Sequence, residues 1–119
     1  MNRYNKDMGD LGEAIVCNYL KSKGFVIVET KYRGKGGEID IIARNGNKWH
    51  FVEVKYRTTT NFGSGREAVG YTKQRTIHRI AQIYLLYKKL WGNVEISFDV
   101  AEVSGIPPNT KVEYLESCF

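Results

Sequence analysis

Three residues that lie close together in the sequence could bind a metal ion and act on a phosphate group. Asp40 lies within the apolar run Ile39–Ala43, whereas Glu53 and Lys55 lie two positions apart at the end of the run Trp49–Val54. Side chains alternate between the two faces of a strand, so Glu53 and Lys55 share a face if this segment is extended. Carboxylate oxygens are the ligands that Mg²⁺ and Mn²⁺ prefer, and a nearby ammonium can contact a phosphate oxygen or a water molecule. The pattern therefore predicts phosphodiester chemistry.

A tight turn between the two apolar runs would bring these side chains together. The segment Asn45–Asn47 reads Asn-Gly-Asn, a strong signal for a β-hairpin. A loop of its first two residues would oppose Asp40 to Phe51, with Glu53 diagonal to Asp40, whereas a loop of its last two residues would oppose Asp40 to Glu53 directly. Both registers place Asp40, Glu53 and Lys55 on one face, but a three-residue loop without a bulge would separate them.

The two carboxylates would then repel each other. Their Cβ atoms are expected about 4.5–5.5 Å apart if they are opposed and roughly 7–8 Å apart if they are diagonal. In a partly buried site such a pair needs a compensating positive charge, and Mg²⁺ or Mn²⁺ is the expected one. The alternative is a solvated hairpin face, which is the usual meaning of alternating charges on strands. The apolar residues Ile39, Ile41, Val52 and Val54 favour a central hairpin.

The rest of the chain supplies elements that could position this hairpin. Apolar periodicity predicts two helices and three further strands. The helices are predicted at Asp10–Lys23 and Thr72–Trp91, and the strands at Phe25–Glu29, Val94–Val103 and Lys111–Leu115.

Two predicted segments carry further candidate residues. Glu13 lies in the first turns of the first helix, whose predicted apolar stripe is Leu11, Ala14, Ile15 and Leu20. Its carboxylate could join the acidic pair or simply favour the positive end of the helix. The basic, glycine-rich segment Lys31–Gly37 is interpreted as a mobile loop that brings cations to the site, with a flexible connection as the alternative.

Length and composition favour one α/β domain spanning residues 1–119, because 119 residues with 42% hydrophobic content can form one core. No apolar run approaches the ~20 residues that a membrane-spanning helix needs, and the start of the chain lacks the apolar core of a signal peptide. We therefore expect a cytoplasmic protein without a membrane partner. Cys17 and Cys118 show no metal-ligand spacing and are expected to be free thiols.

The charge is concentrated in the middle of the chain. The formal net charge is +5, but Lys31–Lys89 holds 13 of the 18 basic and 4 of the 13 acidic residues, a net charge of +9. A basic surface around an acidic pocket suits a polyanion such as nucleic acid, although ordinary solubility charge is the alternative. The residues expected to bind nucleic acid are Lys31, Arg33, Lys35, Arg57, Lys73 and Arg75.

These motifs together resemble the PD-(D/E)xK nuclease superfamily and, within it, the bacterial YraN family. The resemblance is carried by Gly12-Glu13, Gly37-Glu38-Ile39-Asp40, Phe51-Val52-Glu53-Val54-Lys55-Tyr56-Arg57, Phe62-Gly63, Glu67-Ala68-Val69 and Lys73-Gln74 followed by Thr76-Ile77. It spans roughly residues 9–85, and Lys31 departs from it, since family members often have Asn there. The resemblance implies an α/β fold with an αβββαβ restriction-endonuclease-like core, in which helices flank a central mixed sheet, related to Holliday junction resolvases.

The resemblance also implies roles for individual residues. Asp40 and Glu53 would ligate Mg²⁺ (or Mn²⁺), with the Val54 carbonyl as a further ligand and Glu13 completing the acidic set. Lys55 would orient or deprotonate the attacking water, and Gln74 would contact the site. The expected partner is nucleic acid, with DNA favoured over RNA. Symmetric cleavage of a junction would require two sites and hence a homodimer.

Two other functions stay open at the level of sequence. A nucleic-acid-binding or DNA-processing accessory protein could keep the fold and the basic surface without efficient cleavage. A structural or partner-binding protein could carry the basic surface incidentally, and it would not show binding to DNA that is lost at modest salt.

Overall fold

The computed structural model describes residues 3–57 and 69–119, and side chains from residue 7 onward. The chain forms two helices and five strands in this part. The elements are α1 (Arg3–Ser22), β1 (Val26–Gly34), β2 (Gly37–Asn45), β3 (Lys48–Arg57), α2 (Tyr71–Tyr87), β4 (Glu95–Ile106) and β5 (Asn109–Leu115). From the sequence, the polar, glycine-punctuated segment 58–65 is predicted to be a surface loop; it lies outside the described residues, as do the motif residues Phe62, Gly63 and Glu67.

The five strands form one mixed sheet in the order β1-β2-β3-β4-β5. Neighbouring strands are antiparallel except β3 and β4, which are parallel. A parallel pair requires a crossover connection, and α2 lies in the sequence between these two strands. The predicted order of helix, three strands, helix and strand is confirmed, as is the final edge strand.

Each face of the sheet carries one apolar cluster and one helix. On the first face, Val16 and Leu20 of α1 pack against Ile41, Val52 and neighbouring strand residues. On the second face, which we call the α2 face, α2 packs over a separate apolar cluster. Its members include Ile77, Ile80 and Tyr84 of α2 and Ile42, Phe51 and Val100 of the sheet. The alternation along β3 therefore assigns odd-numbered residues to the α2 face.

The register between β2 and β3 matches one of the two predicted alternatives. Asn45 pairs with Lys48, and Ile41 pairs with Val52, so Gly46 and the residue after it form the two-residue loop. The pairing ends at Ile41 and Val52, and Ile39 and Ile41 lie in the apolar clusters of opposite faces, so the regular alternation of β2 does not extend through residue 40. The φ angle of Gly46 is 61°, in the left-handed region that such a turn requires.

The glycine-rich segment after Lys31 is part of a hairpin, so its interpretation as a mobile loop was wrong. Strand β1 continues to Gly34, which pairs directly with Gly37. A Cβ atom at Gly34 would lie 2.7 Å from Ile80 Cγ2, and one at Gly37 would lie 2.8 Å from Thr76 Cγ2. These glycines therefore permit close packing of the hairpin end against α2, which the sequence pattern does not distinguish from flexibility.

Several predicted boundaries also change. Helix α1 begins at Arg3 rather than Asp10, and α2 ends at Tyr87 rather than Trp91. In α1 the predicted buried residue Ala14 is exposed, whereas Val16 is fully buried. Within the described residues, neither helix has the length and apolar content needed to span a membrane.

Candidate active site

Asp40 lies near the end of the paired part of the β2–β3 hairpin. Its Oδ2 atom accepts a hydrogen bond of 2.8 Å from the backbone N–H of Val54. Burial, together with the nearby charge of Glu53, raises the pKa of Asp40 to about 7. The hydrogen bond from Val54 and the charge of Lys73 act in the opposite direction but do not offset these two effects. Ionised Asp40 is therefore poorly compensated by its surroundings.

Glu53 is the more deeply buried member of the acidic pair, with 4% of its side chain exposed. Its Oε1 atom accepts a hydrogen bond of 2.6 Å from the ammonium of Lys73, which α2 brings over the sheet. Its Oε2 atom is buried and has no hydrogen-bond partner among the described residues. A buried carboxylate oxygen without a partner is energetically costly, so this atom is available to a cation.

Lys55 lies two residues beyond Glu53 on the same strand and hence on the α2 face. It is partly buried, and it is the neighbour of Glu102 in the parallel β3–β4 ladder. Within the described part of the chain, Lys55 has no ion-pair partner. Its position agrees with the predicted location of Lys55, whereas its catalytic role stays a prediction.

Glu13 lies on α1, and its charge makes a small contribution to the raised pKa of Asp40, whereas its part in the acidic set stays a prediction. Its Oε1 atom is already bonded to Lys31 Nζ at 3.0 Å, and the same ammonium lies 3.0 Å from Asp10 Oδ1. The hydrogen bond to Glu13 raises the pKa of Lys31, with a smaller contribution from Asp10. Lys31, which was predicted to bind nucleic acid, thus neutralises two carboxylates of α1.

Two other predicted site residues are held by backbone contacts. Gln74 Nε2 donates a hydrogen bond of 2.8 Å to the Val69 carbonyl, which fixes the chain just before α2. Val54, which was predicted to offer its carbonyl, enters the site through its N–H group. The proposed contacts of both residues with metal or substrate stay predictions.

The structure adds Glu102, which sequence reasoning did not identify. Glu102 of β4 is fully buried, and neither of its carboxylate oxygens has a hydrogen-bond partner among the described residues. Arg57 Nε lies 3.8 Å from Glu102 Oε2, so Arg57, predicted to bind nucleic acid, is engaged in an ion pair. Burial raises the pKa of Glu102 despite Arg57. The sequence did contain a signal for this residue, because a glutamate between Ala101 and Val103 interrupts an apolar run and so indicates a buried carboxylate.

The remaining basic residues lie at the surface. Arg33 has 87% of its side chain exposed, with Nε 3.6 Å from Glu38 Oε2. Lys35 and Arg75 are exposed as well. Arg79 donates a hydrogen bond of 2.8 Å to the Lys35 carbonyl and thereby ties the β1–β2 turn to α2. These residues remain accessible to a polyanion.

The donor set fits a hard divalent cation better than any other cofactor. No three His, Cys, Asp or Glu side chains of residues 3–57 and 69–119 lie together closely enough to hold a metal ion by themselves. Mg²⁺, however, is commonly bound by only one or two carboxylates with water completing its shell. Asp40 and Glu53, with the unpartnered Glu53 Oε2, match that requirement.

The class of the protein follows from the sheet and the helices. It is a single α/β domain with a five-stranded mixed sheet and two helices, consistent with a restriction-endonuclease-like core. Comparison with known sequences then gives the family, since residues 12–103 match the uncharacterised protein family UPF0102.

Bacterial relatives match almost the whole chain. A UPF0102 protein of Alkaliphilus metalliredigens (strain QYMF) is 45% identical over 115 residues, covering 97% of this chain and 99% of the relative. One from Alkaliphilus oremlandii (strain OhILAs) is 43% identical over 116 residues, with coverage of 97% and 99%. One from Clostridium botulinum (strain Loch Maree / Type A3) is 39% identical over 121 residues, with coverage of 100% and 98%. The chain belongs to the UPF0102 family, also called the YraN family, and the resemblance found in its motifs is confirmed.

Proposed function

We propose that this protein is a metal-dependent nuclease that hydrolyses phosphodiester bonds of nucleic acid. One observation carries the proposal. Glu53, buried beside Asp40 in a central hairpin, has a carboxylate oxygen without a hydrogen-bond partner in the described structure. A protein gains nothing in stability from two buried carboxylates of this kind, so a bound divalent cation is the physical reason to keep them.

The side chains would have different roles at the bond to be cleaved. Asp40 and Glu53 would hold Mg²⁺ or Mn²⁺, with the Val54 carbonyl as a further ligand, and Glu13 would complete the acidic set from outside the immediate ligand shell. The ion, when bound, supplies Lewis-acid stabilisation of the charge that develops on the phosphate. Lys55, on the same face as Glu53, would orient the attacking water, and its positive charge would favour release of the water proton to solvent and offset the charge that develops on the phosphate. Gln74 would position the substrate or the metal ligands.

The substrate is proposed to be DNA in preference to RNA, including branched or processing intermediates. The exposed residues Arg33, Lys35 and Arg75 would bind its phosphates, and Arg57, Lys31 and Lys73 would act where the backbone approaches the acidic residues. Nothing in the described elements resembles a helix dedicated to the major groove, so recognition of shape and backbone is expected rather than base-specific readout. We propose a cytoplasmic location and, for symmetric cleavage, a homodimer.

A second candidate function has a specific observation in its favour. Two carboxylates of the acidic set already have an ammonium partner, since Lys31 binds Glu13 and Lys73 binds Glu53. A protein that binds nucleic acid without cleaving it could keep this neutralised arrangement. The two functions differ in whether a divalent cation can displace the lysine ammonium groups from these carboxylates.

The experiment that decides between them uses a panel of single-stranded, duplex, flapped and four-way DNA substrates and matching RNA. Each substrate is incubated with the protein and Mg²⁺, Mn²⁺ or EDTA, and with the Asp40→Asn variant as a control for contaminating nucleases. Cleavage that needs the metal ion and Asp40 supports the nuclease. Binding of metal and nucleic acid without cleavage of any substrate would establish the accessory function instead.

A further inference from the structure

Lys73 is in an unusual position for a residue of a basic, nucleic-acid-binding surface. Its ammonium donates a hydrogen bond of 2.6 Å to Glu53, a carboxylate with 4% exposure, while 47% of the lysine side chain remains in contact with solvent. One end of the contact is therefore fixed in the sheet, and the other is a long side chain at the start of α2. A lysine ammonium is a compact charge on a flexible stem, so it can leave without rearranging the backbone.

The contact leaves part of Glu53 available to a second cation. Lys73 binds only Oε1, and Oε2 lacks a partner within the described residues. If Lys73 left alone, Glu53 would be an uncompensated buried charge beside Asp40. Release of Lys73 therefore requires another cation at Glu53.

We propose that Lys73 is a counterion that a divalent cation displaces from Glu53, and that the freed ammonium then binds a phosphate of the nucleic acid. Binding of the metal would in this way create one additional phosphate contact. The inference rests on the proposed function, because it takes Glu53 to be a ligand of the metal.

The start of α2 offers a place for the phosphate that Lys73 would bind. Gly70 precedes the helix and provides no side-chain cap, and no acidic residue lies in the first turn. The first N–H groups of a helix have no partner within the helix, so together with the helix dipole they favour an anion there, close to the base of the Lys73 side chain. Lys73 can thus exchange a carboxylate partner for a phosphate partner within its own reach.

Lys31 provides an internal contrast. Its ammonium lies 3.0 Å from both Asp10 and Glu13, so it keeps one carboxylate partner even if Glu13 turns to a metal ion. Lys73 has a single carboxylate partner among the described residues. The geometry therefore assigns the exchange to Lys73 and a fixed role to Lys31.

The exchange makes metal binding and nucleic-acid binding cooperative. A cation that frees Lys73 strengthens the attraction for phosphate, and by linkage the nucleic acid must strengthen metal binding by the same factor. Without metal, Lys73 contributes nothing to phosphate neutralisation. The dependence of binding on salt should reveal this difference, because each phosphate that is neutralised adds about −0.9 to the slope of log affinity against log salt for duplex DNA.

The first measurement is titration of Mn²⁺ by calorimetry with the wild type, Lys73→Met and Arg75→Gln. Arg75 is a matched control, since it is an exposed cation of the same helix turn that contacts the Tyr71 ring rather than a carboxylate. Lys73→Met should bind Mn²⁺ about two- to fivefold more tightly, the factor expected for loss of a competing half-exposed ion pair. Arg75→Gln should retain the wild-type affinity. Equal or weaker binding by Lys73→Met overturns the inference.

The second measurement is the salt dependence of binding to a short DNA duplex in Ca²⁺ and in EDTA. For the wild type and Arg75→Gln, Ca²⁺ should make the slope steeper by about one unit, whereas for Lys73→Met it should not. A response of Lys73→Met equal to that of the wild type would overturn the proposed phosphate contact. Thermal unfolding checks that each variant is folded, and Lys73→Gln replaces Lys73→Met if the latter is not.

Failure of this inference is distinguishable from failure of the proposed function. If the wild type binds no Mn²⁺, the metal site and the nuclease proposal fall together. If it binds Mn²⁺ and cleaves DNA while Lys73→Met has unchanged affinity and an unchanged response to Ca²⁺, only the exchange of Lys73 is refuted.

Discussion

The two faces of the sheet both contain buried carboxylates, but these carboxylates differ in how many hydrogen-bond partners they have. On the face that packs against α1, Asp99 accepts hydrogen bonds from Ser97, Tyr114 and the Ser117 N–H group, and His50 Nδ1 lies 2.7 Å from its Oδ2 atom. Burial works against ionisation of Asp99, yet these bonds outweigh it and the pKa lies below its usual value. Each Asp99 oxygen has partners.

At the end of the β2–β3 hairpin, by contrast, the acidic groups lack a full set of partners. Asp40 receives a backbone N–H bond and has its pKa raised to about 7, and Glu53 keeps one oxygen without a partner in the described structure. A carboxylate with all its partners stabilises a fold, whereas one without them destabilises it unless a ligand is bound. The comparison supports a structural role for Asp99, and it is the basis of the proposal that Asp40 and Glu53 bind a cation.

The largest expected effect is on cleavage, through Lys55→Ala. This change should lower turnover by about 10²–10⁴-fold, as expected for loss of a group that acts in proton transfer, and added metal should not restore it. Asp40 and Glu53 remain in place, so Mn²⁺ binding should survive. Cleavage assays over a range of Mn²⁺ concentrations test this. If Lys55→Ala cleaves as well as the wild type, Lys55 has no role in catalysis, although the nuclease proposal stands.

The next effect is on stability and concerns Asp99. Asp99→Asn should lower the free energy of unfolding by about 3 kcal/mol or more, because it disrupts a buried network and leaves donors such as those of His50 and Tyr114 poorly paired. Glu53→Gln, on the other face, should change it by less than about 1 kcal/mol without metal. Urea unfolding in EDTA measures both. Equal losses of stability for the two variants would contradict the view that Asp99 stabilises the fold and Glu53 does not.

Metal affinity should depend on pH through Asp40. Since the pKa of Asp40 is about 7, Mn²⁺ must displace a proton below that pH, and its affinity should fall by up to about tenfold for each pH unit below 7 and level off above it. Calorimetry at several pH values measures this. An affinity that is constant between pH values of about 5 and 8 would show that Asp40 is ionised throughout or is not a ligand.

The same residue should affect stability without metal. The pKa of Asp40 is raised in the folded state from an ordinary value of 3.8, so its stabilising contribution is complete below that value and is lost as the pH rises through about 7. Asp40→Asn should therefore gain stability relative to the wild type as the pH rises from about 4 to 7. Unfolding by urea in EDTA checks the difference, and a constant difference across this range would contradict it.

The smallest expected effect concerns where nucleic acid binds. Arg33→Gln, at the β1 edge of the sheet, should weaken binding to all DNA sequences alike and lower the salt slope by about one unit. Lys111 is an exposed cation on β5, at the opposite edge, and Lys111→Gln should leave the slope unchanged. Fluorescence anisotropy at several salt concentrations is sufficient. A larger change in the salt slope for Lys111→Gln than for Arg33→Gln would show that nucleic acid binds at the β5 edge and not near the acidic hairpin.

The hairpin was predictable because its determinants are local. A turn at Gly46 sets the register of the hairpin as far as Ile41 and Val52, and alternation along β3 places Glu53 and Lys55 on one face, so this part could be predicted without the remaining fold. The placement of Asp40 on that same face stays a prediction. Helix boundaries shifted by several residues, since the ends of helices depend on packing as well as on sequence.

The contacts of the site were not predictable to the same extent. Lys73 meets Glu53, and Arg57 meets Glu102, only because α2 and β4 are brought to the hairpin by the tertiary fold. The charge pattern of the sequence identifies a basic region, but it does not show which lysines and arginines contact carboxylates and which face solvent. Gly34 was misread for a related reason, since its neighbour Ile80 is distant in the sequence.

The topology of the sheet also has a consequence for the order in which the chain folds. The β2–β3 pairing closes over a two-residue turn, whereas the parallel β3–β4 pairing joins residues such as Lys48 and Glu95 that are far apart in the sequence. Local pairings form at lower entropic cost, so Asp40 and Glu53 are expected to meet before the crossover that carries Lys73 is in place. During that interval the growing structure holds two like charges with no lysine between them. During folding, a divalent cation is thus expected to bind Glu53 without competition from the ammonium of Lys73.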